Sequence, residues 1–290
     1  MELRHLDTLL AVIDHGSFDG AAASLGISAS AVSQRIKSLE GAAGRVLVRR
    51  TSPPVATEAG EILVQTARRQ RLLVAEATAE LSGRSATVPL PIVVNADSLG
   101  TWFPRIFKDA NAQLSAGLRI AVEDERHSHE MLRRGDCVGA ITTEAAPVPG
   151  CQSEYLGALT YVPVAAPTLA AGFREGTWGW ADFPTVRFGA KDRMEKELLE
   201  AELGRYAPSS SRVETHIPAF DAFNQAVVAG MGWAMLPKVT ARGLLDSGHV
   251  VLLSDFELEV GLYWQHWRIG SSVLEKLGDA IHAAAALELQ

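Results

Sequence analysis

Apolar positions recur at helical spacing from the start of the chain. Leu6, Leu9, Leu10 and Ile13 share one face of residues 3–14, which predicts an amphipathic helix ended by His15-Gly16. Ser17 stands in capping position before Phe18-Asp19-Gly20-Ala21-Ala22-Ala23-Ser24-Leu25, a short second helix broken by Gly26. Ser28 caps a third, from about Ala29 to Ala42, with Val32, Ile36 and Leu39 facing inward. Two helices joined by a tight glycine-containing turn make a helix-turn-helix, and the alanines of the second helix let the third approach closely. The third helix keeps a polar face of Ser28, Ser30, Ser33, Gln34 and Lys37. Val46 to Thr51, Ser52-Pro53-Pro54 and Val55 to Thr57 then predict two short strands around a turn, a β wing carrying Arg49 and Arg50. A plain three-helix bundle with a solvated polar face is the alternative. The basic wing at this position favours the winged form.

From Thr57 to about Leu81 the pattern is continuously helical. Leu63, Ala67, Gln70, Val74, Ala77 and Leu81 step by four and three, the a/d seam of a coiled coil. The seam predicts a dimerisation helix projecting from a small head; packing on its own domain is the other reading. Ser82-Gly83-Arg84-Ser85-Ala86-Thr87 reads as a hinge.

Beyond residue 88 strands and helices alternate, which predicts α/β architecture with parallel sheet. Strands are expected at Leu90–Ala96, Leu118–Val122, Val138–Thr142, Thr160–Ala165, Val186–Phe188, Ser211–Ile217, Trp233–Leu236, Val250–Leu253 and Tyr263–Trp267. Helices are expected at Ser98–Ala112, His127–Arg134, Phe220–Ala229 and Ser272–Leu289. Ligands in open α/β sheets bind beyond the carboxyl ends of strands. Those places carry Asp97, Ser98 and Thr101, then Glu123 and Asp124 with Glu125, then Thr142 and Glu144, and in the later half Arg187 and Phe220. Ser98 and Thr101 suit a carboxylate. The acids suit a cation, unless they form only a solvated rim.

Charge changes the picture in one respect. The net charge of −7 argues against a nucleic-acid partner, but its distribution does not. Residues 33–52 hold Arg35, Lys37, Arg45, Arg49 and Arg50 against Glu40 alone, whereas residues 85–290 hold seventeen basic and twenty-five acidic side chains. A basic head on an acidic body fits phosphate contact by the head. No run of apolar residues is long enough for a membrane span, and the opening residues lack a signal-peptide pattern, so a cytoplasmic protein is expected. Cys137 and Cys151 are expected as free thiols, and no Cys/His spacing suggests a metal. Nucleophile-elbow, zinc-protease, P-loop and dinucleotide-binding motifs are all missing, so neither enzyme activity nor a cofactor is expected. His127 and His129 read as surface residues. A transporter's solute-binding protein is a rival for the body, but the basic head disagrees with it.

Residues 1–65 resemble the DNA-binding domain of the LysR-type transcriptional regulators. The likeness rests on Gly16-Ser17-Phe18, Ala21-Ala22, Leu25, Ser28 to Ser33, Ile36, Leu39-Glu40, Gly44, Leu47, Arg49 and Thr57-Glu58-Ala59-Gly60. Members often have Gln-Pro where this chain has Ala29-Ser30, and many have Arg-Gln where it has Gln34-Arg35; these departures bear on the operator sequence. The resemblance implies double-stranded DNA as partner, with Ser17, Ser28, Ala29, Ser30, Ser33, Gln34, Lys37, Arg49 and Arg50 at the interface. It implies a winged helix-turn-helix over 1–58, a linker helix and hinge over 59–87, and a two-lobed, type II periplasmic-binding-protein-like effector domain over 88–290. Lobe one would comprise 88–160 with 264–290, and lobe two 161–263. A homodimer or homotetramer and contact with RNA polymerase go with it. Asn95 to Leu99, Thr101-Trp102, Val122 to Glu125, Leu132 to Gly135, Gly139-Ala140 and Tyr263 to Trp267 resemble the subgroup that senses lysine and arginine and activates an amino-acid exporter. That likeness implies a basic amino acid as effector; a LysR-type regulator of another small-molecule effector is the alternative reading.

Overall fold

A computed structural model describes residues 2–82, 89–108, 117–123, 125–189, 193–206, 208 and 212–289. The head opens with α1 (Leu3–Asp14), α2 (Phe18–Leu25) and α3 (Ala29–Ala43). Each helix start follows from its cap. The Ser17 hydroxyl accepts from the Gly20 N–H at 2.9 Å, and the Ser28 hydroxyl from the Ala31 N–H at 3.2 Å. Leu9, Leu10, Val12, Ala21, Val32, Ile36 and Leu39 close the head core. The Glu40 carboxylate accepts from the Leu47 N–H at 2.9 Å, so the end of α3 fixes where the wing begins. The wing is β1 (Val48–Arg49) paired antiparallel with β2 (Val55–Ala56).

The linker is α4 (Glu58–Ser82). The Thr57 hydroxyl accepts from the Gly60 N–H at 3.1 Å. A Cβ at Gly60 would lie 2.0 Å from the Leu47 carbonyl oxygen, so only glycine lets α4 pack this closely on the wing. Along the expected seam, Ala67 is buried in the head core and Leu63 packs against it. Leu72, off the seam, is buried in the core of the body. Val74 and Leu81 are 61% and 91% exposed. The helix therefore packs on its own chain over its first half and leaves the later seam uncovered. Of the expected hinge, residues 83–87 lie outside the described residues.

In the body, β3 (Leu90–Val94) pairs parallel with β4 (Leu118–Val122) and β5 (Gly139–Thr142). Two long strands follow, β6 (Cys151–Ala165) and β11 (Leu258–Trp267), antiparallel to each other with a register shift at Leu262/Tyr263. At one end β11 pairs with β5. At the other, β6 pairs antiparallel with β9 (Ala234–Pro237) and β10 (Val251–Leu252). β7 (Thr185–Arg187) and β8 (Glu214–His216) are parallel and reach β9 through a bridge at Thr185 and Trp233.

The sheet is thus mixed, not parallel as alternation alone predicts. A chain that crosses to a second group of strands and returns lays the returning strand antiparallel to the departing one. The expected helix over Ser98–Ala112 is also broken. It is α5 (Ala96–Gly100), then a 3-10 turn at Phe103–Arg105, whose Pro104 lacks an N–H for a helical ladder, and helix again over 106–108; residues 109–112 lie outside the described residues. Helices α6 (Glu125–Arg134), α7 (Pro167–Arg174), α8 (Met194–Leu203), α9 (Phe220–Val228), α10 (Lys238–Asp246) and α11 (Ser272–Glu288) cover the sheets. One buried cluster runs from Trp102, Phe103 and Trp264 through Tyr161 to Phe183 and Trp233, continuous across the long strands. Both cysteines are free and buried; burial pushes the Cys151 thiol up to about 11 and Cys137 further still, so neither is poised to react.

A buried ion network holds β7, β8 and α8 together. Arg212, its side chain fully buried, reaches Glu195 at 2.6 Å and Glu214 at 2.7 Å, and Arg187 lies 3.6 Å from Glu195. Burial pushes the Glu195 carboxyl above its usual range, partly offset by Arg212, while the hydrogen bond from Arg212 holds Glu214 below it. Removing Arg212 strands a buried carboxylate. We predict that Arg212→Met destabilises the protein by about 3 kcal/mol at neutral pH, and that adding Glu195→Leu recovers most of the loss. The gap from wild type narrows toward acid. There Glu195 takes up a proton in the variant, and the stability that depressed Glu214 gives the wild type is lost. Denaturant melts at several pH values check the magnitude and the sign.

Candidate DNA-reading head and effector cleft

On α3, Ser30, Gln34 and Lys37 are exposed and spaced i, i+4, i+7, one stripe along the helix. Ser28 is exposed too; Ala29 and Ser33 are half-buried at its flank. The Ser28 hydroxyl lies 2.9 Å from that of Ser30. Ser17 and Ser28 already serve as helix caps, so their first role is to fix the helix starts. Arg35 leans inward, donating to the Thr8 hydroxyl at 3.4 Å, and Lys37 is the cation of the outward face. In this motif the start of the second helix enters the major groove, where short hydroxyls and amides meet base edges.

Arg49 and Arg50 are exposed on the wing. The Arg50 guanidinium lies 5.4 Å from the centre of the Phe18 ring, a cation–π contact that braces the wing against α2. Sequence reasoning gave Phe18 no role in the interface. Its position directly after the Ser17 cap was the available signal.

In the body, the parallel order β5-β3-β4 brings three carboxyl strand ends to one edge. Asp97, on α5 after β3, accepts a hydrogen bond from the Tyr161 hydroxyl at 2.7 Å, and Tyr161 sits where β6 crosses toward β9. The Thr101 hydroxyl donates to the Asp97 carbonyl at 2.6 Å, and the Asn95 side chain accepts from the Ser98 N–H at 2.9 Å. Among the described residues, the buried hydroxyls of Ser98 and Thr160 have no hydrogen-bond partner. After β5, the buried Thr142 hydroxyl accepts from the Glu144 N–H at 3.2 Å, and Glu144 is exposed. Buried Gln265 fixes this loop, donating to the Glu144 and Ala146 carbonyls and accepting from the Val148 N–H. Glu123, after β4, lies 3.9 Å from exposed His127. Asp124 lies outside the described residues. His129 is half-buried, with its ring 3.5 Å from the Gln265 amide.

From the other strand group, Phe220 at the start of α9 lies against Gly100. A Cβ there would sit 2.5 Å from the ring, so glycine permits α5 and α9 to meet. Arg187, at the end of β7, pairs with Glu195 and Glu214 in the network above. The structure therefore brings Asp97, Ser98, Thr101 and Phe220 close together, with Tyr161 on Asp97. Two cavities lie elsewhere, one of about 260 Å³ beside Gln152, His266 and Arg268, the other of about 340 Å³ between α9 and α10; neither is lined by the strand-end residues.

Comparison with known proteins bears on both sites. Residues 3–61 match the bacterial regulatory helix-turn-helix model of the lysR family, and residues 91–286 match the LysR substrate binding domain. The lysine export transcriptional regulatory protein LysG of Corynebacterium glutamicum is 46% identical over 281 residues, 97% of this chain and 96% of that protein. A full-length structure of LysG from that organism with bound effector arginine superposes with a TM-score of 0.89 at 45% identity, covering 100% of both chains. The crystal structure of ArgP from Mycobacterium tuberculosis gives 0.91 at 37%, covering 99% of this chain and 98% of that one. With the head, the linker helix and the body all matched in one continuous chain, this protein belongs to the LysR family of transcriptional regulators.

Proposed function

We propose that the protein is a DNA-binding transcriptional regulator in the cytoplasm whose body takes a basic amino acid, lysine or arginine, and which controls an amino-acid exporter gene. Residues 1–58 act as the head, 59–87 as the linker and 88–290 as the effector domain. Lobe one is 88–160 with 264–290 and lobe two 161–263. The observation that carries the DNA reading is the exposed stripe of Ser30, Gln34 and Lys37 beside a wing whose Arg50 is braced on Phe18. The effector reading rests on Asp97. It is an acid at the strand-end edge, linked to the crossing strand through Tyr161, beside the unpartnered Ser98 hydroxyl. A carboxylate there suits a guanidinium or ammonium group, and Ser98 with Thr101 suits the α-carboxylate. The arginine-bound relative supports that class of ligand. The uncovered seam at Val74 and Leu81 supports a homodimer or homotetramer through α4, which matches DNA with paired half-sites. RNA polymerase is the further partner such a regulator would contact.

Gel shifts on the chain's own upstream region, with and without L-lysine or L-arginine, test the whole reading. Arg49→Ala combined with Arg50→Ala lowers affinity for all sequences alike and reduces the dependence on log salt by about one unit for each phosphate that goes unneutralised. An unchanged salt slope would remove the wing from the interface. Asp97→Asn weakens L-arginine binding by roughly tenfold or more, since a charge-assisted bond is worth about 1.5–3 kcal/mol. Calorimetry on the full chain measures it, and equal affinity places the cation elsewhere.

A further inference from the structure

Three parts of the molecule meet at one guanidinium. Arg68, midway along α4, donates through one terminal nitrogen to the Asp14 carboxylate at the end of α1. Its other terminal nitrogen donates to the Asp136 carboxylate and, at 3.0 Å, to the Arg134 carbonyl. Asp14 belongs to the head, and Arg134 and Asp136 flank the turn between α6 and β5. The Arg68 side chain is 17% exposed, and the two carboxylates 37% and 36%.

The surroundings are shaped for this contact. Asp14 is the last residue of α1, where the negative end of the helix disfavours an acid; a cation from outside compensates it. The end of α6 leaves carbonyls without helical partners. Gln65 donates to the Leu132 carbonyl at 3.2 Å, so α4 supplies donors to two of these carbonyls from one face. Gly135 sits at φ +77, and a Cβ there would lie 3.3 Å from both the Arg68 Cδ and the Gln65 Cα; the turn needs glycine for its backbone and for the approach. One helical step on, Arg69 donates to the Gly150 carbonyl at 2.9 Å and lies 5.4 Å from the centre of the Trp267 ring.

We infer that Arg68 is a coupling residue, which clamps the head to the α6–β5 turn so that displacement of the effector domain is passed to the reading helix. The turn is well placed for this. α6 starts just after Glu123 and β5 ends at Thr142, so both elements run from the strand-end edge to the Arg68 contact. The relay rests on the effector reading above; the clamp does not.

Hydrogen exchange on the full-length protein tests both. Without ligand, Arg68→Ala and the milder Asp14→Asn speed exchange of amides near 11–15 by roughly two- to fivefold, the range for losing a partly exposed ion pair. Combining the two adds nothing, because each removes the same link. Unchanged exchange there in both variants, or fully additive effects, overturns the clamp. With L-arginine added, exchange at the end of α1 changes in the wild type. In Arg68→Ala it does not, although L-arginine still raises the melting temperature of both. An undiminished response in Arg68→Ala overturns the relay. If L-arginine fails to raise the wild-type melting temperature, the basic-effector reading falls, and the ligand-free comparison still decides the clamp.

Discussion

The body depends on the pairing of β6 with β11. These two strands lie side by side from Cys151 against Trp267 to Tyr161 against Leu258 and belong to both groups of strands. Every other strand of the body is ordered by its distance from this ladder. The parallel trio β5, β3 and β4 lies on one side of it, and β9 and β10 pair with the far end of β6. Because the ladder is antiparallel, its register ties the two groups together residue by residue. The shift at Leu262/Tyr263 is where that tie is irregular, and such irregularities bend and twist a strand. Tyr161, which reaches Asp97, sits on this ladder, so the contact between strand groups is set by the same register that builds them.

Electrostatics divides the labour between head and body. The head concentrates exposed cations on α3 and the wing, while the acidic excess lies in the body. Arg35, which turns inward, is matched by the Thr8 hydroxyl. In the body the strongest internal charges, Arg212 and Glu195, neutralise each other out of water and hold β7 and β8 to α8. They leave the strand-end edge to Asp97, Glu123 and Glu144. Field and fold are thus served by different residues, which leaves the acids at the strand ends without a cost to the core.

Much of this was legible in the sequence, and the limits have physical causes. The head was readable almost to the residue because each helix start is local: Ser17, Ser28 and Thr57 bond within three residues of themselves. The long strands were not. Residues 151–159 mix polar and apolar side chains around Gly157, so periodicity found only Thr160–Ala165 of β6, and pairing with β11 is a matter of residues a hundred apart. The strand-end rule selects Asp97, Ser98, Thr101 and Phe220, which the fold places near one another. It says nothing of Tyr161, which reaches Asp97 from the middle of a strand, and it cannot see that Arg187 has partners on α8 and β8. Gly60 and Gly139 carry part of the family likeness, but neither they nor Gly100 reveal in the chain why glycine is required. Their need appears only in space, against the Leu47 carbonyl, the Phe220 ring and the Trp264 ring.

The capping role of Ser28 limits how the protein can change over generations. Its hydroxyl starts the reading helix, so most replacements there weaken the helix that must present the remaining contacts. Ser30, Gln34 and Lys37 carry no such duty among the described contacts that cap the head. If the proposed reading of DNA by α3 holds, drift toward a new operator has its easiest routes through those three positions, and a lineage that acquires a different binding site should diverge there while the capping serine stays.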